Sequence, residues 1–210
     1  MVRALSAALL LLPAAAFASP AAPSFEAALA QIQAAVAASR AAQVQAKGAD
    51  IGPRLSNLAW DLERSERETQ RLRSDMRWLL QRARRWQKPQ PGKPDMDPSL
   101  RWDVQRFTRD LANVSRYAQW RLQDLRSLSA QAEKDENLVG PATRVADEAR
   151  RLKSETNWLL MDARFGYWDL IRAGFTFEGM DLDRNSRELD QSAQDLQNEG
   201  DRLVTKVRGS

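Results

Sequence analysis

The chain has 210 residues, with 32 Lys and Arg against 28 Asp and Glu, and neither cysteine nor histidine. The first absence removes disulfides, thiolate nucleophiles and sulfur-bound metals, and the second removes the usual general base and the commonest metal ligand. Ordinary hydrolytic and redox chemistry is therefore not expected, and a formal charge of +4 is too small to name a partner.

Arg3, the apolar run Ala4 to Phe17 and the small-x-small triplet Ala16-Phe17-Ala18 have the layout of a signal peptide over residues 1–18. The run is shorter than the ~18 residues a spanning helix needs, and a lone arginine favours general secretion over the twin-arginine route. The expected mature chain starts at Ser19 and is exported, to the periplasm or the medium. It has no transmembrane segment, since no later stretch is long and apolar enough to form one.

Beyond the leader, Pro and Gly cluster at 20–23, Gly48 to Pro53, Pro89 to Pro98, Gly140-Pro141 and Gly174 to Gly179, and each cluster is read as a break. The stretches between them carry apolar residues at helical spacing and show no strand-like alternation. A first helix, about Ser24 to Lys47 within the segment 19–52, is mostly alanine, with Phe25, Leu29, Ile32 and Val36 on one face. A second, Pro53 to Lys88, reads as heptads. Leu55, Leu62, Thr69, Met76 and Ala83 fill one core position, and Leu58, Ser65, Leu72, Leu79 and Trp86 the other. The third opens at Asp97-Pro98, a capping residue before a first-turn proline, with the stripe Val104, Phe107, Leu111, Val114, Ala118, Leu125 and Leu128. The fourth, Pro141 to Ala173, turns Val145, Ala149, Leu152, Thr156, Leu159, Ala163 and Leu170 inward. The fifth starts near Asp181 or Asp183 and spaces Leu182, Leu189, Leu196 and Leu203 at heptad intervals, flanked by Ser186, Ala193, Gly200 and Val207.

Arg71 to Arg84 and Arg151 to Arg164 are identical at eight of fourteen positions. Shared heptads explain Leu72/Leu152 and Leu79/Leu159 but not Trp78/Trp158, which lie off the seam. The chain is therefore expected to be all-α. The expected architecture is an elongated antiparallel bundle of four long helices, made from a duplicated hairpin (53–135 and 139–208), plus the N-terminal Ala-rich helix.

Two surfaces stand out. Arg77, Trp78, Arg82, Arg84, Arg85 and Lys88 mix guanidinium groups with indoles, a pattern suited to phosphate or carboxylate. Either this face binds an anionic lipid, lipopolysaccharide or acidic glycan, or the acidic fifth helix neutralises it inside the bundle. Trp158, Met161, Phe165 and Trp168 form a second apolar stripe on the fourth helix. Either the first helix covers it or it is a partner site. Asp181-Leu182-Asp183-Arg184-Asn185 echoes the start of a calcium loop, but Ser186 replaces the turn glycine and Ser192 the closing Glu, so helix capping is the better reading. Asn113-Val114-Ser115 lies mid-helix and carries no weight as a glycosylation site. No catalytic, cofactor or metal constellation is visible, and no nucleic acid is expected outside the cytoplasm. The expected function is that of an exported, non-enzymatic scaffold, adaptor or chaperone-like protein of the cell envelope. It would work through a protein partner or as a homo-oligomer, with anionic lipid or glycan binding as the alternative.

Overall fold

The structure is a computed structural model that describes the backbone of residues 25–86 and 98–209, and within them the side chains of 50–86 and 99–209. The signal-peptide segment and Lys88 lie outside the described residues, as do the side chains of the Ala-rich first helix. The chain divides into two compact units, Met1–Ala42 and Gln43–Ser210, and the packed core belongs to the second.

Every described element is helical: α1 (Phe25–Trp86), α2 (Pro98–Gln131), α3 (Glu136–Arg172) and α4 (Thr176–Arg208). No described helix is long and apolar enough to cross a membrane. The heptad positions are those the sequence predicts. Leu55, Leu62, Thr69, Met76 and Ala83 of α1 are buried, as are Leu152, Thr156, Leu159 and Ala163 of α3 and Leu182, Leu189, Leu196 and Leu203 of α4. Trp86, at the end of the α1 seam, is only partly buried.

The element boundaries differ from the expectation in three places. The break at Gly48 to Pro53 is absent, and α1 runs through Pro53. The break at Gly140-Pro141 is also absent, because α3 starts at Glu136, where the Asp135 side chain accepts from the Asn137 N–H at 2.9 Å. Both prolines follow a glycine, and this is the physical reason. A proline crowds both the N–H and the Cβ of the residue before it when that residue is helical; Gly52 and Gly140 have no Cβ, which lowers the cost of continuing the helix. Each site still lacks the proline's own N–H bond. Finally, α4 starts at Thr176, so Asp181 and Asp183 lie inside the helix, paired with Arg184 and Arg187, and do not cap it.

The stop signal at Gly174 does hold. Gly174 has φ 90°, its N–H bonds to the Ile171 carbonyl at 3.0 Å, and the Phe175 N–H bonds to that of Leu170 at 2.9 Å. These two bonds make a Schellman turn, which left-handed glycine allows, and the Phe175 side chain that follows it is buried in the core.

Cross-helix polar contacts fix direction and neighbourhood. Numbers run oppositely between α1 and α2, where Arg121 pairs with Asp61 at 2.9 Å and Arg82 donates to Ser99 at 2.8 Å. They also run oppositely between α3 and α4, where Lys153 pairs with Asp190 at 2.6 Å and Arg150 with Asp201 at 2.5 Å. They rise together between α1 and α3, through Arg144–Glu63 at 3.7 Å, Arg73–Asp162 at 3.0 Å and Arg84–Asp169 at 2.7 Å. The same holds between α2 and α4, through Gln105–Glu178 at 3.4 Å, Arg126–Asp195 at 3.7 Å and Lys206 to the Ser129 carbonyl at 2.7 Å. Going round the bundle the order is α1, α2, α4, α3. Each hairpin is antiparallel, and the two lie side by side with like helices parallel.

This order gives the hairpins opposite hands. Seen from one end, α2 lies on one side of α1 and α4 lies on the other side of α3, although matching residues of α1 and α3 point into the same core. Along Arg71–Arg84 and Arg151–Arg164 the matching positions are buried and exposed alike, with Asp75 and Glu155 the one difference of degree.

Candidate partner-binding surface

The basic run of α1 faces two grooves. On the α3 side, the Nε groups of Arg73 and Arg77 both donate to the Asp162 carboxylate, at 3.0 and 2.9 Å, and Arg84 donates to the buried Asp169 at 2.7 Å. On the α2 side, Arg82 donates to Asp103 and Ser99 while lying over the Trp78 ring, 4.6 Å from its centre. Arg77, Arg82 and Arg84 are thus neutralised within the bundle. The carboxylates come from α2 and α3, not from the fifth predicted helix. The reason is topological: α4 packs on α2 and α3, and no ion pair joins it to α1 among the described residues. The acids of α4 instead hold Lys153, Arg150 and Arg126, or cations of their own helix. Arg85 is exposed and has no ion pair among the described residues.

Among the described residues of the second unit, nothing buries the stripe on α3. Trp158, Met161, Phe165 and Trp168 are 49, 46, 73 and 59% exposed, which shows that the helix is apolar on an outer face as well as on its seam. Arg73 partly shields Trp158, its guanidinium carbon 5.3 Å from the ring centre. Below Phe165 a shallow cleft of about 250 Å³ runs between α1 and α3, lined by Arg77, Leu80, Gln81, Arg84 and Asp162. Gly166 floors the same groove. A Cβ there would lie 2.5 Å from a Leu80 methyl, so any larger residue would make the Leu80 side chain shift beneath the stripe. A second cleft of about 480 Å³ lies between α3 and α4, lined by Arg164, Tyr167, Trp168, Met180, Asp183 and Arg187. Tyr167 and Trp168 meet edge to face at 5.0 Å at its rim.

Farther down the α1/α3 groove the charge reverses. Glu66 is held above its ordinary pKa, first by desolvation and then by the neighbouring carboxylates Glu148, Glu155 and Glu63, with Arg151 opposing them. Glu148 is buried, and its Oε2 has no hydrogen-bond partner. Among the described residues no set of acidic side chains has the geometry to hold a metal ion.

Sequence reasoning missed several exposed aromatics: Trp60, Trp102, Tyr117, Trp120 and Phe177. Trp60 carries Arg144 over its ring at 4.3 Å, and Tyr117 meets Trp120 at 5.3 Å. The signal was available, since all five lie off the heptad seams, and an aromatic off the seam faces outward.

Compared with models of protein families, with curated protein sequences and with solved structures, the chain matches none of them.

Proposed function

We propose that this protein is an exported, non-enzymatic helical module that docks a protein partner in the cell envelope through the outer face of α3. The observation that carries this reading is the open stripe Trp158, Met161, Phe165 and Trp168. Interface cores are enriched in Trp, Phe, Met and Arg, and this stripe runs beside Arg73 and Arg77, whose positions are set by Asp162. Covering each large side chain is worth about 1.5–3 kcal/mol, enough in sum to drive association. Pre-positioned rings and guanidinium groups also lose little freedom on binding. Export rests on the N-terminal segment, and work by contact rather than catalysis rests on a chain without Cys or His.

A photo-cross-linking residue at Met161, in the protein expressed in its own cells, tests the docking face. The expected result is a discrete adduct with an envelope protein, or with a second copy, that disappears when Trp158 is changed to Ala. The same probe at Trp120, on α2, should give none. Absence of any adduct at 161 would sink the proposal. Export is tested separately by the intact mass of the protein, which should start at Ser19.

A further inference from the structure

The end of the bundle where α3 turns into α4 differs from the rest of the second unit, and the α3 stripe accounts for only part of the difference. Trp102 lies in the second turn of α2 and is 72% exposed; Phe177 lies in the first turn of α4 and is 80% exposed. Met180 follows a turn later, and Phe165 and Trp168 occupy the last two turns of α3; all are exposed. The contacts Arg82–Ser99, Arg84–Asp169 and Gln105–Glu178 put these turns at one level along the bundle. Three helices therefore carry large apolar groups outward at the same height, in a band about 12 Å tall at 1.5 Å per residue.

The charges of the band are unbalanced in one direction. Asp103, Asp162, Asp169, Asp181 and Asp183 each hold a guanidinium group. Four exposed arginines, Arg85, Arg101, Arg164 and Arg172, have no ion pair among the described residues, against one carboxylate without a cation, Glu178, which accepts from Gln105. Among the described side chains of the opposite end, Ile51 to Leu58, Leu128 to Gln131, Glu136 to Ala142 and Gly200 to Arg208, no large apolar one is exposed.

A band spread over three of the four helices at one end suits a plane better than a patch, because a plane crossing the helices meets every member at once. Aromatic rings with arginine beside them are the side chains that settle at a lipid–water interface, rings among the glycerol backbones and guanidinium groups on phosphates. The geometry points to this end of the bundle seating on an anionic phospholipid surface, with Trp102 and Phe177 entering the interface and Arg101, Arg164 and Arg172 on the phosphates. This goes beyond the docking face proposed above: Trp158 and Met161 lie below the band, and Trp102 and Phe177 are not on that face.

The chain has no cysteine, so one introduced cysteine is a unique labelling position. The full chain carrying Trp102→Cys, Phe177→Cys or, as a mid-bundle control, Trp120→Cys is labelled with a polarity-sensitive dye. It is then mixed with vesicles of equimolar phosphatidylglycerol and phosphatidylcholine. The expected result is a blue shift with increased emission at 102 and 177 and none at 120. The response should fall about tenfold in 0.5 M salt, where the screening length is near 4 Å. It should fall similarly when Arg101, Arg164 and Arg172 are all changed to Gln, with helical circular dichroism unchanged. The readout is local, so an N-terminal segment entering lipid by itself would leave all three positions silent. Silence at 102 and 177, an equal response at 120, an equal response on phosphatidylcholine alone, or an unaffected triple variant would each overturn the proposal. Loss of the cross-link at 161 would leave it untouched.

Discussion

At the scale of single residues, position on the seam and position in a groove have different consequences. Leu159 is fully buried on the α3 seam. Leu159→Asp places an unpaired carboxylate there and should lower stability by about 4 kcal/mol or more, read from chemical unfolding. Lys153 lies off the seam, and sequence alone treats it as a bystander. In the structure its Nζ reaches Asp190 at 2.6 Å, and the Thr156 hydroxyl donates to the same oxygen at 3.1 Å. Both charged side chains are largely covered, so Lys153→Asp should cost about 3 kcal/mol by facing one carboxylate with another. Glu66 gives a pH signature. Its folded pKa is raised, so the native state binds the proton more tightly than the unfolded chain does. Its contribution to stability is present at low pH and lost as pH rises through the raised pKa. Glu66→Gln should therefore raise the melting temperature at pH 7 and change it little at pH 4. A gain of equal size at both values would show that ionisation of Glu66, penalised by burial and then by its carboxylate neighbours, is not the cause.

At the scale of elements, glycine decides how helices continue and how closely they meet. Gly52 and Gly140 each precede a proline within a helix. Ala normally improves a helix by about 1 kcal/mol over Gly, but here it would restore the clash with the proline ring. Gly140→Ala is expected to give no such gain and to lower the melting temperature, although no other part of the molecule lies within 4 Å of the new methyl. A rise of several degrees would mean that the glycines are incidental to the passage through proline. Gly200 is a different case, since a Cβ there would stand 3.0 Å from the Ala146 Cα, which is backbone and cannot swing aside. Gly200→Ala should separate α3 from α4 and cost about 1–3 kcal/mol.

At the scale of the whole molecule, large aromatic side chains are divided unevenly between core and surface. Phe107 and Phe175 are buried, whereas Trp60, Trp78, Trp102, Trp120, Trp158 and Trp168 are about half exposed or more. Trp emission of the folded protein should therefore be quenched by acrylamide nearly as strongly as in the unfolded chain. The Trp158→Ser and Trp168→Ser variants should each shift stability by no more than about 0.5–1 kcal/mol. Strong protection from acrylamide in dilute solution would show that a second copy, or another part of the chain, covers these rings.

The helical class and the seams were legible in the sequence because heptad spacing acts locally. A residue at a core position of Leu55-Leu62 or Leu182-Leu189 points inward whichever helix it meets. The Gly174 turn was legible for the same reason: it needs only a glycine and the preceding turn. Helix continuation was misread at Gly52-Pro53 and Gly140-Pro141 because Pro and Gly were weighed singly, when a glycine before the proline lowers the cost of continuing the helix. Neighbourhood was decided only by tertiary structure. The charge pattern showed that a basic α1 and an acidic α4 exist, but Coulomb attraction between exposed groups fades within a Debye length, and burial of the seams sets which helices touch. With α1 between α2 and α3, its arginines find Asp103, Asp162 and Asp169, and the hand of each hairpin follows from that order. The open face of α3 has the same origin. A second apolar stripe can be read from spacing, but whether another helix lies on it depends on how four seams close around one core, and a single helix does not encode that.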